Sequence, residues 1–428
     1  TTEGLNDLSA TLHSLFRERL MRGQWRDQPR PIVTNNWEAT YFDFDGYKIF
    51  DIANKAKGLG IEMLVMDDGW FGQRYDDTKG LGDWFVNEEK MGQSLKELSD
   101  RINAIDMKLG IWFEPEMINE DTELYRAHPD FMIRVPGRPG VKGREQFVLD
   151  FTREDVRDYI QKMMEEVLGN ANIEYVKWDM NRSISAVYST KLNPENMGEF
   201  HYRYVLGLYD LLDKLTKKFP HIMFEGCSGG GGRYALGMLY YHPQIWLSDD
   251  TDPIERLKIQ YGSPFAHPIG SAGAHVSASP NHQTMRKTPF NTRATVAMAG
   301  SFGYELDLNK VSNEEQEMVK TQVEEYLKYD EVVHEGDYFR LTSPYDRSRV
   351  CAWEVLTKDK AFGLLSIVVQ NLEANESNIY VYLRGLEENS LYEIAGEVKR
   401  GGVWMSGGLL VPRIKEEYES FRFEIIKK

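Results

Sequence analysis

Short apolar runs alternate with amphipathic stretches from about residue 32 to about residue 330. The apolar runs predict strands at PIVTNNW (31–37), EMLVMDDGW (62–70), LGIWFEPEM (109–117) and QFVLDFT (146–152). Four more follow at EYVKWDMNR (174–182), HIMFEGCSGG (221–230), QIWLSDDTD (244–252) and PIGSAGAHVS (268–277). Most are separated by segments of helical period, among them 47–60, 152–169 and 199–219. In 152–169, Val156, Ile160, Met163, Met164 and Val167 recur at helical spacing, acids sit near the start and Gly169 follows the end. Eight β-then-α units predict an α/β fold, a (β/α)8 TIM barrel rather than an open doubly wound sheet. A leading helix is expected over 5–22. Beyond 314–336 the runs become strand-like, at 350–356, 361–371, 378–385, 391–398 and 420–428, with turn-rich pieces such as EENS and RGGVWMSGG between. That pattern predicts a small antiparallel β-sandwich. The chain thus divides into a barrel over 1–332 and a C-terminal sandwich domain over 333–428.

The fifth run poses the functional question. Tyr175, Val176 and Trp178 suit a buried strand, yet it ends on Lys177, Asp179, Asn181 and Arg182, whose desolvation is costly. In a barrel of this kind the C-terminal strand ends form the face that holds the active site. The other runs bring similar groups there. They offer Trp37, then Asp67, Asp68 and Trp70, then Trp112, Glu114 and Glu116, then Asp150 with Arg144 just before it. Glu225, Cys227 and Ser228 follow, and then Trp246, Asp249, Asp250 and Asp252. Alternation lets Lys177, Asp179 and Asn181 share a side and turns Trp178 toward the helices.

Each group also has a plainer reading. Asp179 could cap a turn or pair with Lys177, and SDDTD could be an N-cap cluster. Asp67 and Asp68 could cap the turn at Gly69, Trp37 and Trp112 could be core, and Cys227 could be a small buried hydrophobe. Strand-end position favours the pocket for all of them. Glu114 and Glu116 are expected to orient a Lys or Arg rather than react. The glycine run 229–232 lacks the Lys and Ser/Thr of a phosphate loop and reads as a close approach beside a ligand. His275 and His282 take no role.

Composition narrows the chemistry. The 428 residues exceed one ordinary core. A net charge of −16 argues against nucleic acid as a partner. No run approaches the length of a membrane helix. Cys227 and Cys351 supply no disulfide framework, which fits a reducing, cytoplasmic interior. There is no CxxC, no HExxH and no GxGxxG after a strand, so neither a metal nor a cofactor is expected. The opening TTEGLNDLSA has neither Met nor an apolar signal core and reads as a cut from something longer. Gathered acids with 9 Trp and 23 Tyr suit glycoside hydrolysis. There two carboxyl groups flank the anomeric carbon, one as nucleophile and one as acid/base. A nearby Lys keeps the nucleophile ionised, while a more desolvated carboxyl holds its proton.

NNWEATYFDF, DDGWFG, GIWFEPEM, KWDMNR, SDDTD and GAHVSASPNHQ occur in that order. Together they resemble the catalytic region of the family 36 glycoside hydrolases, the bacterial-type alpha-galactosidases, from about residue 5 to the C-terminus. The resemblance implies a retaining enzyme that removes terminal alpha-linked galactose from melibiose and raffinose-type sugars. It makes Asp179 the nucleophile and Asp249 the acid/base. Asp67 and Asp68 would hold the galactose 4- and 6-hydroxyls, and Trp112 would line the sugar pocket. Arg144, Lys177 and Asn181 would contact hydroxyls, and Cys227 would lie near the 2-hydroxyl with Ser228 and Gly229 beside it. Trp246 would also touch the sugar, and Trp37 would line the site of the leaving sugar. Gly229 stands where many members carry Ser. The family pattern places a large β-sandwich domain before the barrel, absent from these residues. That domain often helps build a tetramer, so a homo-oligomer stays open. Other readings are an alpha-N-acetylgalactosaminidase, a truncated galactoside-binding fragment of weak activity, and a metal-dependent barrel isomerase or lyase.

Overall fold

The computed structural model of the chain describes residues 4–346, 348–374 and 377–428. Eight parallel strands close on themselves in the order β1-β8-β7-β6-β5-β4-β3-β2. They are β1 (Val33–Asn35), β2 (Met63–Met66), β3 (Lys108–Phe113), β4 (Tyr175–Trp178), β5 (Met223–Gly226), β6 (Gln244–Trp246), β7 (Ala272–Ser277) and β8 (Ser301–Glu305). The leading helix runs Leu5–Leu15 and continues as a wider turn over Phe16–Leu20.

Side-chain parity explains why charges occur on core strands. Val176 and Trp178 of β4 join the large apolar core between barrel and helices, with Leu64, Ile111, Phe113, Phe224 and Val276. The alternate residues point inward. At one end Val33, Met63, Val65, Tyr175 and Met223 form a separate small apolar plug. Two residues further along the same inward rows the composition changes. Lys177 follows Tyr175 and Glu225 follows Met223, and Asp67 follows Val65. The barrel interior is thus packed with apolar groups at one end and charged groups at the other.

Two strand expectations are corrected. Strand β3 pairs directly with β4, Gly110 beside Tyr175 and Trp112 beside Lys177, so 146–152 is not a barrel strand. Its Phe147–Val148 instead pairs antiparallel with Met117–Ile118. A short apolar run between turns does not distinguish a barrel strand from a strap packed over the barrel. The eighth strand is Ser301–Glu305, and 268–277 supplies the seventh. SFGYE was obscured by its central Gly, a residue depleted in strands. Gly303 is required there: a Cβ would lie 2.7 Å from both His275 and Val33 on the flanking strands.

The C-terminal region holds a six-stranded antiparallel sheet, ordered Asp337–Thr342, Val350–Leu356, Phe362–Val369, Ser420–Lys427, Leu391–Ile394 and Glu397–Arg400. A two-stranded ladder of Tyr380–Val381 and Leu409–Leu410 shares its core. Alternation gives the sheet two faces. Cys351, Trp353, Val355, Leu364 and Val368 belong to the barrel's core. Val350, Ala352, Leu365, Ile367 and Val369 belong to a second one. RGGVWMSGG, expected as a turn, contains the helix Gly401–Gly407. Fully buried Trp404, donating to Tyr392 O at 3.1 Å, overrides the glycines' poor helix propensity.

Glu354 is buried in the second core. One carboxyl oxygen accepts from the Arg384 backbone N–H at 2.7 Å and the other has no partner among the described residues. Burial pushes its carboxyl up to about 8. The folded chain therefore binds this proton more tightly than the unfolded chain, so the contribution is full below about 4.5 and is lost as pH rises through about 8. Glu354→Gln should flatten this slope. Denaturant unfolding from pH 5 to 9 should show the variant gaining on the wild type as pH rises, and parallel curves would contradict it.

Candidate active site

Ten of the expected residues line one cavity of about 190 Å³: Trp37, Asp67, Asp68, Trp112, Arg144, Lys177, Asp179, Asn181, Trp246 and Asp249. Glu38, His282, Gln283 and Glu305 line it as well. Glu305 escaped the sequence reading because its strand did. Glu38 adjoins Trp37 in NNWEATYFDF, and parity would have turned it away from the pocket had the strand continued. A helix begins at Trp37 instead.

Lys177 sits on the inward row of β4, and its Nζ donates to Asp67 Oδ2 at 2.8 Å. Asn35 Nδ2 donates to the same oxygen at 2.7 Å. Burial alone would lower the Lys177 ammonium, but Asp67, Glu305 and Glu225 outweigh it and hold it well above its ordinary range. Asp68 is gripped by Arg74, Nε to Oδ1 at 2.9 Å and Nη2 to Oδ2 at 2.7 Å, a two-pronged contact. Burial still keeps Asp68 above the usual aspartate range.

Asp179 accepts four N–H donors. Met180 N–H and Gly229 N–H reach Oδ1 at 2.8 and 3.3 Å, and Asn181 Nδ2 and Trp112 Nε1 reach Oδ2 at 2.7 and 3.2 Å. Asp249 differs. Its carboxyl accepts from Trp246 Nε1 at 3.0 Å. The residue stands at the open rim, yet burial of the carboxyl and the charge of Asp179 hold it above the usual range against the pull of Lys177. The N-cap reading of SDDTD falls to its neighbour. Asp252 caps the helix Pro253–Gly262, accepting from Ile254 N–H at 2.8 Å and Glu255 N–H at 3.1 Å.

Cys227, Ser228 and Gly229 stand behind Asp179 rather than on the cavity wall. The buried Cys227 thiol is pushed well up by burial and by Asp179 beside it. Ser228 Oγ donates to Met180 O at 2.9 Å. Gly229 has φ +54°, and a Cβ there would meet nothing nearer than Asn181 Oδ1 at 3.9 Å. Backbone conformation rather than space favours glycine.

Asp150 accepts from Thr152 N–H at 3.1 Å, away from the cavity. Glu116 accepts from Arg233 Nη1 at 3.1 Å and so does orient an arginine. Among the described residues Glu114 bonds no Lys or Arg; Gln146 Nε2 donates to it at 2.6 Å. His275 Nδ1 lies 3.1 Å from Glu305, and His282 Nδ1 lies 3.4 Å from Glu38. Among the described residues no three His, Cys, Asp or Glu side chains are grouped to hold a metal ion. Among them, too, no helix is long and apolar enough to cross a membrane.

The melibiase family model matches residues 1–336, and the model of the glycosyl hydrolase family 36 C-terminal domain matches 350–425. The chain belongs to glycoside hydrolase family 36. Similar members include alpha-galactosidase AgaA of Geobacillus stearothermophilus, 48% identical over 99% of this chain and 58% of the relative. The bifunctional alpha-galactosidase/sucrose kinase AgaSK of Mediterraneibacter gnavus is 48% identical over 99% of this chain and 44% of its own length. The chain thus spans about half the length of the curated relatives it matches. The crystal structure of AgaA superposes with a TM-score of 0.98 at 47% identity, covering 100% of this chain and 60% of that one. A variant of AgaA has been solved in complex with raffinose.

The Asp68–Arg74 pair is buried on both sides, with side-chain exposures of 9% and 3%. Removing one partner strands the other charge. Arg74→Ala should cost about 3–5 kcal/mol of unfolding free energy, and Arg74→Lys less. Chemical denaturation measures both; a loss in Arg74→Ala below about 1 kcal/mol, the range of exposed pairs, would contradict the account.

Proposed function

We propose that the chain is the catalytic part of a retaining alpha-galactosidase that releases terminal alpha-linked galactose from raffinose-type oligosaccharides. The observation that carries this reading is the contrast between Asp179 and Asp249 in one cavity. The first is ringed by four N–H donors; the second has one, and burial and the neighbouring charge favour its proton. Two carboxyls in such different surroundings supply the nucleophile and the acid of a double displacement.

In the first step an Asp179 oxygen attacks the anomeric carbon and the bond from that carbon to the leaving oxygen breaks. Asp249 gives its proton to that oxygen. In the second step Asp249 takes a proton from water as the water oxygen attacks the same carbon, and the ester to Asp179 breaks. Two inversions return alpha-galactose. Asp67 and Asp68 would bind the galactose 4- and 6-hydroxyls, with Lys177, Arg144 and Asn181 on others. Trp112 and Trp246 would wall the ring and Trp37 the leaving sugar. Cys227, Ser228 and Gly229 would shape the 2-hydroxyl side from behind Asp179. Residues 1–332 would form the catalytic unit and 333–428 a brace, which the shared core of barrel and sheet supports.

NMR of an alpha-galactoside during hydrolysis should record alpha-galactose first; beta-galactose first would overturn the two-step mechanism. Asp179→Ala should lower kcat by about four orders of magnitude. Asp249→Asn should lose the alkaline limb of the pH profile and retain most of kcat/KM on aryl galactosides whose phenol leaves without a proton, while kcat falls because the second step has lost its base.

A further inference from the structure

The turn that carries Arg144 is held against its backbone preference. Gly143 and Gln146 exchange backbone hydrogen bonds of 3.1 Å in both directions. Between them Arg144 and Glu145 have φ +49° and +60°. A two-residue hairpin link with positive φ at both positions normally takes Asn-Gly or Gly-Gly. Two long charged residues therefore need outside support, and residues held this way cluster at functional sites. The arginine so presented lines the cavity and makes no hydrogen bond or ion pair with any described residue.

The support is visible. Asn119 Nδ2 donates to Glu145 O at 2.8 Å, and Arg182 Nη1 donates to Gln146 O at 2.9 Å. Glu114 Oε1 accepts from Gln146 Nε2 at 2.6 Å. The same oxygen accepts the Asn181 backbone N–H. Asn181 in turn donates to Asp179 at 2.7 Å. One atom thus ties the strap that presents Arg144 to the segment that holds Asp179. Glu114 itself is buried and does not line the cavity.

We propose that Glu114 is a positioning residue: its Oε1 fixes the Arg144 turn through Gln146 and the Asn181 backbone at once, setting both against the bound sugar. This rests on the galactosidase reading. Burial and the charge of Asp179 push the Glu114 carboxyl up to about 8, and its other oxygen has no partner among the described residues. Burial thus favours the protonated acid, whose carbonyl oxygen accepts both donors, a role an amide can fill.

The test compares Glu114→Ala, Glu114→Gln and Glu114→Ala/Glu145→Gly in the full chain. Kinetics with an aryl alpha-galactoside are paired with hydrogen exchange at residues 144–146. Glu114→Ala should raise KM about tenfold, as expected for one lost hydrogen bond to a charged or buried partner, with a smaller change in kcat, and speed exchange at Gln146. Glu114→Gln should restore both. Glycine at 145, which adopts positive φ freely, should recover exchange protection and part of KM without the clamp. Should Glu114→Ala not fold, Gln146→Ala cuts the same contact from the other side and should give the same KM effect. Wild-type KM and protection in Glu114→Ala and Gln146→Ala would overturn the proposal. So would a Glu114→Gln variant as damaged in kcat as Asp179→Ala, which would make Glu114 a reacting group. If the wild type turns over no alpha-galactoside, the functional reading fails, while hydrogen exchange still decides whether Glu114 holds the turn.

Discussion

Six carboxyl groups line a cavity of about 190 Å³. Two like charges at about 4 Å repel by about 4 kcal/mol at an effective dielectric of about 20, so such a cluster exists only where cations or protons offset it. Lys177 is the cation on which the arrangement depends. Its ammonium contacts Asp67, is held by the charges of Glu305 and Glu225, and stands over the Trp246 ring, 5.7 Å from its centre. Arg74 plays the same part for Asp68 from behind. With those acids paired, Asp179 is left to N–H donors, while burial first and the charge of Asp179 second hold Asp249 and Glu114 above their ordinary range.

The sequence carried this pattern most clearly where it coincided with strand parity. In EYVKWDMNR the even and odd positions serve different cores, so Tyr175, Lys177 and Asp179 could be placed on one row before any coordinates. The same alternation separates the two faces of the C-terminal sheet. Asp249 could be separated from Asp252 by resemblance alone, since both precede a helix start; the structure assigns the capping bonds to Asp252. Arg144 was legible through its motif and not through physics, because a charged residue at positive φ in a tight turn contradicts local propensity. Glu305 was hidden for a similar reason: its strand contains a glycine demanded by packing against His275 and Val33.

These misses share a cause. Local propensity and periodicity describe a segment by itself, whereas a barrel mouth is assembled from segments far apart in sequence. The segment at 146–152 looked like a strand because it is apolar and short. Its Phe147 and Val148 instead belong to the strap that presents Arg144, and the side chains that hold that strap, Asn119, Arg182 and Glu114, all come from outside it.

The central claim is that Asp179 becomes covalently bonded to the sugar. Incubating the chain with a fluorinated galactosyl fluoride that forms the intermediate quickly and releases it slowly, then mapping the modified peptide by mass spectrometry, tests it directly. One galactosyl group on the peptide bearing Asp179 is the predicted result. A label on another carboxyl, or none while ordinary galactosides are turned over, would contradict the account.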